Sequence, residues 1–265
     1  MKKAYFGFSD IHCHILPGLD DGAKDFAVSL AMARQFEHAG FKKIIATPHF
    51  IPGTAWSASK KTVLNAVSTL RTRLQEEGIA LDIYPGMEIA IHPQVMNNIK
   101  RGFLLPLANS NLFLLEPSFS SGFHDILKAV EECRTDGIDI VLAHPERIPA
   151  LQRHPKRFLE LLEMEIYFQV NISSLLGHLG RNSEQSARYL LEHDAIYFFA
   201  SDAHNSSIRK PPATEDLYRL ETEYGINLKK LFTKHMFNIF NFEDMNDTRY
   251  NKMSRVNAGL RMVSY

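Results

Sequence analysis

The chain has 265 residues, 45% of them hydrophobic, with 30 Lys and Arg balanced by 30 Asp and Glu. That length can bury a sizeable core in one domain, and a net charge of zero supplies no overall pull toward nucleic acid or an anionic membrane while leaving a local basic patch open, so an anionic substrate has to be caught locally. Two cysteines, Cys13 and Cys133, are too few for a disulfide framework, no apolar run approaches the roughly 20 residues that span a bilayer, and no basic-then-apolar leader opens the chain; a cytoplasmic protein without membrane insertion is expected.

The first chemistry appears at Asp10-Ile11-His12-Cys13-His14. In an extended strand alternate side chains share a face, so His12 and His14 can hold one cation, with Cys13 turned into the packing behind them. Gly18 and Gly22 bracket Asp20-Asp21, and a loop of that composition can fold back to bring a carboxylate to the same pocket. Taken alone, the stretch also reads as a strand end followed by a polar turn.

Downstream, short apolar runs alternate with amphipathic segments. Asp25 is an N-cap for a helix carrying Phe26, Leu30, Ala33 and Phe36, with Gly40 as its stop, and a strand over Lys43 to Thr47 follows. Val63, Ala66, Val67, Leu70 and Leu74 mark a second helix ending at Gly78, leading into a strand at Leu81 to Tyr84. The pattern continues with a strand at Leu112 to Leu115, a helix at Asp125 to Asp136 and a strand at Ile138 to Ala143. A helix at Pro155 to Met164, a strand at Ile166 to Val170, a helix at Ser183 to His193 and a strand at Ala195 to Ala200 come next. Helices at Thr214 to Glu223 and Leu228 to Phe240 complete the folded part. Near-continuous apolar strands separated by helices indicate a parallel sheet covered on both faces, and this many units in one domain indicate a closed or nearly closed barrel.

Active sites of such barrels lie at the C-terminal ends of the strands, and here polar chemistry falls at those ends. The apolar runs lead into His49, Glu88, Glu116, His144, and Asp202 with His204. Any one of these has a plain reading as a loop residue or helix cap. The same arrangement at five strand ends, with His12-x-His14 at a sixth, makes a metal cluster the better account.

These residues resemble the polymerase and histidinol phosphatase (PHP) superfamily, and within it the bacterial manganese-dependent protein-tyrosine phosphatases linked to capsule and exopolysaccharide synthesis. The resemblance rests on the opening signature from Asp10 to Lys24, on Thr47-Pro48-His49, on Glu88 and Glu116, on Ala143-His144-Pro145-Glu146-Arg147, and on Ser201-Asp202-Ala203-His204-Asn205; it extends to Pro211-Pro212. It implies an α/β fold, a distorted (β/α)7 TIM-like barrel in a single domain over residues 1–245, with up to three metal ions. By resemblance His12, His14, Glu88 and Asp202 hold the first ion, Glu88 bridges to a second held also by Glu116 and His144, and Asp21, His49 and His204 serve the third. Asp20 is the less favoured member of the acidic pair.

Five histidines and four carboxylates form a mixed nitrogen and oxygen set suited to Mn, Fe or Zn, and the resemblance favours Mn2+. A bridging carboxylate keeps two cations about 3.5–4 Å apart, where they polarise one phosphoryl oxygen and share a hydroxide nucleophile. Arg147 and Arg209, both at family positions, suit bidentate phosphate contact and are the catalytic candidates; Glu146 is a candidate to orient a ligand histidine. A cysteine-type phosphatase needs an arginine six positions after its nucleophile, where this chain has Leu19 and Asp139.

The match departs after His49, where Phe50-Ile51-Pro52-Gly53-Thr54-Ala55-Trp56 replaces the further histidine or basic residues frequent in close tyrosine phosphatases. Phe50, Ile51 and Trp56, with Phe119 and Phe123, either line a slot for an aromatic ring or belong to barrel packing. Ile148 stands where an aromatic is common, and His178 lies on a strand-following loop that can face the site. The polar tail, residues 246–265, is expected to be disordered or to pack on a neighbouring subunit, which leaves a homo-oligomer open.

The expected function is a metal-dependent phosphomonoesterase acting on phosphotyrosine in the tail of a tyrosine kinase that controls polysaccharide export. The alternatives are a small-molecule phosphatase of the histidinol-phosphatase kind, a phosphodiesterase on the same metal core, and a non-catalytic regulator binding phosphorylated tails.

Overall fold

The computed structural model describes residues 7–228, 232 and 237–240. The helix expected at Leu228 to Phe240 lies mostly, and the tail at 246–265 entirely, outside the described residues.

Nine strands form two parallel sheets among the described residues. β1 (Phe8–Cys13), β2 (Phe41–Ala46) and β4 (Asp82–Pro85) make the first, in the order β1-β2-β4. β3 (His49–Phe50), β5 (Glu88–Ala90), β6 (Leu112–Glu116), β7 (Asp139–Ala143), β8 (Tyr167–Asn171) and β9 (Phe198–Ala200) make the second, in chain order. The two sheets are halves of one barrel. β2 continues into β3, and β4 into β5, after short breaks at Thr47-Pro48 and Gly86-Met87, so nine segments amount to seven barrel strands. Pro48 has no N–H to donate to a ladder. Gly86 is required by crowding, because a Cβ there would meet Ile45 Cγ2 at 2.8 Å and Thr47 Cγ2 at 3.2 Å. The ring closes between β9 and β1: Asp202 N donates to His12 O (3.0 Å) and His14 N to Ala203 O (2.9 Å). This is the expected distorted (β/α)7 barrel.

The long helices follow their caps and stripes. Asp25 Oδ1 caps α1 (Phe26–His38) by accepting from Val28 N at 2.9 Å, and Ser59 caps α2 (Lys60–Glu76). The buried face of α2 is the expected Val63, Val67, Leu70 and Leu74. In α1 the face is rotated: Met32, Ala33 and Phe36 are buried with Ser29, while Phe26 and Leu30 are only half-buried. Ser29 escapes the apolar pattern because its hydroxyl is satisfied inside, donating to Ile15 O at 2.7 Å.

α3 (Val95–Lys100) follows β5; α4 (Phe123–Thr135) begins two residues before the expected Asp125, because Asp125 itself accepts from Gly122 N as a capping group. α5 (Pro149–Gln152), α6 (Lys156–Leu162), α7 (Ile172–Leu175), α8 (Arg181–Glu192), α9 (Thr214–Tyr224) and α10 (Phe237–Phe240) complete the outer layer. β9 covers only Phe198–Ala200, half of the expected Ala195 to Ala200, since β8 offers it pairing only over Gln169 to Asn171.

Candidate metal centre

Each of the seven barrel strands delivers polar side chains to the same end. β1 presents His12 and, one residue past its end, His14; Cys13 between them is fully buried in the core, as alternation requires. β3 and β5 open with His49 and Glu88, β6 ends on Glu116, and β7 runs into His144. β9 runs into Asp202 and His204. The loop after β1 brings Asp20 and Asp21 back over the barrel mouth. It can do so only with glycine at 22, where a Cβ would sit 2.3 Å from the His14 carbonyl oxygen.

All nine expected ligands converge. They fall into overlapping groups whose donor atoms lie within 4.8 Å of one another: His12, His14 and Asp202; His12, Glu88 and His144; His49, Glu88 and Glu116; and His14, Asp21, His49 and His204. At the centre Glu88 Oε2 has three imidazole nitrogens around it, His49 Nδ1 at 3.0 Å, His14 Nε2 at 3.1 Å and His12 Nε2 at 3.2 Å. Glu88 Oε1 lies 2.9 Å from His144 Nε2, and Asp21 Oδ1 is 3.4 Å from both His49 Nε2 and His204 Nε2. Glu88 therefore touches members of every group through its two oxygens. His14 belongs to two groups and His49 turns one nitrogen to each side, so the sharing is wider than three separate ligand sets.

The donor set fits cations. Two ligands held about 2.0–2.2 Å from one metal are separated by about 3–3.6 Å, the spacing found here. Glu88 Oε2, Asp202 Oδ1 and His204 Nε2 are buried without a hydrogen bond, an arrangement that costs free energy unless something else compensates it. Electrostatics agree. Burial works against charge on His12, yet Glu88 and Asp202 outweigh it and carry the ring up to about 9. Burial would raise Glu88 and Asp202, but the surrounding histidines, His12 foremost, hold both well below the usual carboxylate range. Glu116 goes the other way, pushed up to about 8 by burial and by Glu88.

Two of the nine carry backbone strain. His144 (φ +29°) and Asp202 (φ +52°) occupy the left-handed region that L residues avoid, and such positions gather at functional sites.

Around the cluster lies a set of positioning contacts. Asp20 is not a member of the cluster: its Oδ2 lies 2.7 Å from His14 Nδ1 and accepts from His49 N at 2.9 Å, while Oδ1 accepts from Gly22 N at 2.9 Å. His14 overcomes the effect of burial and draws Asp20 down to about 2. Glu146 does not orient a ligand histidine as expected. It is fully buried, and its Oε1 accepts from the Ser174 hydroxyl (2.6 Å) and Asn171 N (3.1 Å), because the turn of Pro145–Arg147 aims it under the barrel rim toward α7. The orienting role for His12 belongs to Gln169, whose Oε1 lies 2.8 Å from His12 Nδ1, with Gln169 Nε2 donating to Asn171 Oδ1 (2.8 Å) and Asn171 Nδ2 to Asp202 Oδ2 (2.9 Å). Sequence reasoning missed both amides; the available signal was two polar residues at i and i+2 on the site-facing side of an otherwise apolar central strand.

Arg147 Nη1 and Arg209 Nη2 each donate to Asp202 Oδ2 at 2.9 Å, forking on the carboxylate from two loops. Trp56 stacks on His49 at 5.6 Å and 16° between planes, and Phe119 on His144 at 6.5 Å and 6°, with the Arg147 guanidinium 5.1 Å from the Phe119 ring centre. Both aromatics are exposed at the mouth, whereas Phe50 and Phe123 pack against the core. Ile148 is fully buried, and His178 is exposed on the rim of a side cavity next to Asp202.

No described helix is long and apolar enough to cross a membrane. The chain is 36% identical over 226 residues to the tyrosine-protein phosphatase YwqE of Bacillus subtilis, covering 85% of this chain and 89% of that protein. It is 29% identical to the tyrosine-protein phosphatase CpsB of Streptococcus pneumoniae over 229 residues, covering 84% and 94%. A solved structure described under YwqE from Bacillus subtilis and CpsB from Streptococcus pneumoniae, as unique metal-dependent tyrosine phosphatases, has a TM-score of 0.79 at 36% identity, covering 85% of this chain and 91% of that one. The histidinol phosphate phosphatase of Lactococcus lactis has a TM-score of 0.56 at 12% identity over 84% of this chain and 95% of that one, a likeness of fold alone. The family model for capsular polysaccharide synthesis, CpsB/CapC, matches residues 8–241, and the chain belongs to that family.

Proposed function

We propose that this protein is a metal-dependent protein-tyrosine phosphatase, with a phosphotyrosine-bearing kinase tail of polysaccharide synthesis as its substrate, Mn2+ as its metal and the cytoplasm as its compartment. The observation that carries the reading is the convergence of His12, His14, Asp21, His49, Glu88, Glu116, His144, Asp202 and His204 around the two oxygens of Glu88. His12, His14, Glu88 and Asp202 would hold one ion, Glu88, Glu116 and His144 a second, and Asp21, His49 and His204 a third. Ions bound there supply Lewis-acid polarisation of the phosphoryl group and lower the pKa of the attacking water.

The chain's own residues do the rest. Arg147 and Arg209 stand beside Asp202 with guanidinium groups part-exposed to the mouth, where they can turn donors to the phosphoryl oxygens and stabilise charge as the ester bond breaks. Trp56 and Phe119, 37% and 50% exposed, supply two aromatic faces for a phenyl ring. Asp21, 36% exposed, leaves the mouth open, as a tyrosine borne on a polypeptide needs.

The test compares a phosphotyrosine peptide, histidinol phosphate and an aryl phosphate, using metal-stripped protein resupplied with Mn2+ and His12→Ala as control. Mn2+-dependent turnover favouring the peptide and lost in His12→Ala is the expected result. Rapid hydrolysis of the small phosphate alone assigns the site to a small molecule, and peptide binding without turnover assigns it to a regulator.

A further inference from the structure

Beside the metal centre is a second, smaller hollow, a cavity of about 120 Å3. It shares two walls with the centre, Asp202 and Arg209; Ile172, Leu176, Leu179, Ile208 and Pro212 give it an apolar side, and Ser173, His178, Ser201, Lys210 and Asp216 a polar one. Its volume is close to the roughly 150 Å3 of a protein cavity that takes up benzene, so it has room for one aliphatic side chain.

Ile208 stands at its edge, 91% exposed. An isoleucine so placed gains nothing from folding, and nothing about its loop allows it to tuck away. Asn205 Oδ1 accepts from Ser207 N (2.9 Å), Ile208 N (2.8 Å) and Arg209 N (3.2 Å), while His204 N and Asn205 N both donate to Arg209 O. Gln35 Nε2 ties the same loop to α1 through Ser206 O at 2.9 Å. The backbone that aims His204 and Arg209 into the centre thus also fixes Ile208 outward, next to the cavity. The ordering cost of presenting an apolar side chain is already met by folding, as suits a contact surface. Lys210 and Asp216 put one charge of each sign on the polar side, with Asp216 Oδ2 taken by Ala213 N, and Asp202 Oδ2 is taken by Arg147 and Arg209.

We propose that this cavity, with Ile208 as its lip, is a subsite for an apolar side chain next to the phosphotyrosine in the substrate polypeptide. The proposal rests on the phosphotyrosine reading of the neighbouring centre. Continuity supports the choice of occupant: with the phosphoryl group at Arg209, the chain on one side of the tyrosine passes over the cavity mouth, and a leucine or isoleucine there is buried between Ile208 and Leu176. The subsite contributes to peptide affinity and leaves the chemistry of a small phosphate ester untouched.

The experiment uses the Mn2+-loaded protein and phosphotyrosine peptides in which the two residues on each side of the tyrosine are set in turn to Leu or Ala, with p-nitrophenyl phosphate as the small substrate. One Leu position is expected to lower KM about five- to twentyfold relative to Ala, an amount set by burying several methylene groups. Ile208→Ser and Leu179→Ser should each remove most of that difference, with kcat and p-nitrophenyl phosphate hydrolysis within twofold of the parent. Equal KM for Leu and Ala peptides at all four positions overturns the subsite while leaving the phosphatase reading standing. So does a mutant effect that is the same for both peptides or extends to the small ester. Turnover of p-nitrophenyl phosphate with none of any peptide overturns both.

Discussion

The side-chain oxygen of Gln169 lies 2.8 Å from Nδ1 of His12, the ring nitrogen facing away from the cluster. With the Gln169 oxygen accepting from Nδ1–H, Nε2, which lies 3.2 Å from Glu88 Oε2, is the nitrogen whose proton a cation would displace. Through Asn171 the same amide is joined to Asp202, so one residue of β8 sets the orientation of two members of the cluster.

Gln169→Leu should therefore weaken Mn2+ binding about 10- to 100-fold, the usual range for losing such a partner, while the barrel still folds. Gln169→Glu retains the acceptor and should recover much of the affinity. Titration against a fluorescent chelator reads this directly. Unchanged affinity in Gln169→Leu would remove Gln169 from this role.

Metal uptake should depend on pH. In the metal-free protein His12 rises from its ordinary 6.5 to about 9 and Glu116 from 4.5 to about 8, so near neutrality both hold protons that a cation has to displace. For each group the folded state binds protons more tightly than the unfolded chain. The stability this supplies is present in full below the unfolded value, near 4.5 for Glu116 and 6.5 for His12, and is lost as pH rises through about 8 and 9 respectively. The metal-free protein should then melt at lower temperature at pH 9 than at pH 6.5, and calorimetry at pH 7 should record proton release on Mn2+ addition. A melting temperature flat across this window, with no proton release, would contradict the assignment.

Both arginines that meet on Asp202 Oδ2 can act in one of two ways, and a lysine separates them. A lysine keeps the charge beside Asp202 but loses the planar fork that grips phosphate. Arg147→Lys and Arg209→Lys are each expected to lower kcat/KM for an aryl phosphate about 10²-fold with metal content unchanged. Loss of metal in either variant would show that the arginine serves to hold Asp202.

Local sequence settled what local physics governs. The spacing of Val63, Val67, Leu70 and Leu74 defined the buried stripe of α2, because a helix has one period and this stripe matches it. His12-x-His14 declared a shared face because a strand has a period of two, and Cys13 had to point the other way. Polar residues ending successive apolar strands marked one rim of a barrel. Tertiary structure separates the two neighbours Asp20 and Asp21, since both sit in one turn and only the fold sends Asp20 to His14 Nδ1 and Asp21 toward His49 and His204. It also turned Glu146 to Ser174 and the Asn171 backbone instead of a histidine of the cluster, put Gln169 and Asn171 in contact with the cluster, and placed Trp56 and Phe119 at the mouth rather than in the core. Each of these depends on partners far away in sequence, His12 and Gln169 being 157 residues apart, and no local period carries that information.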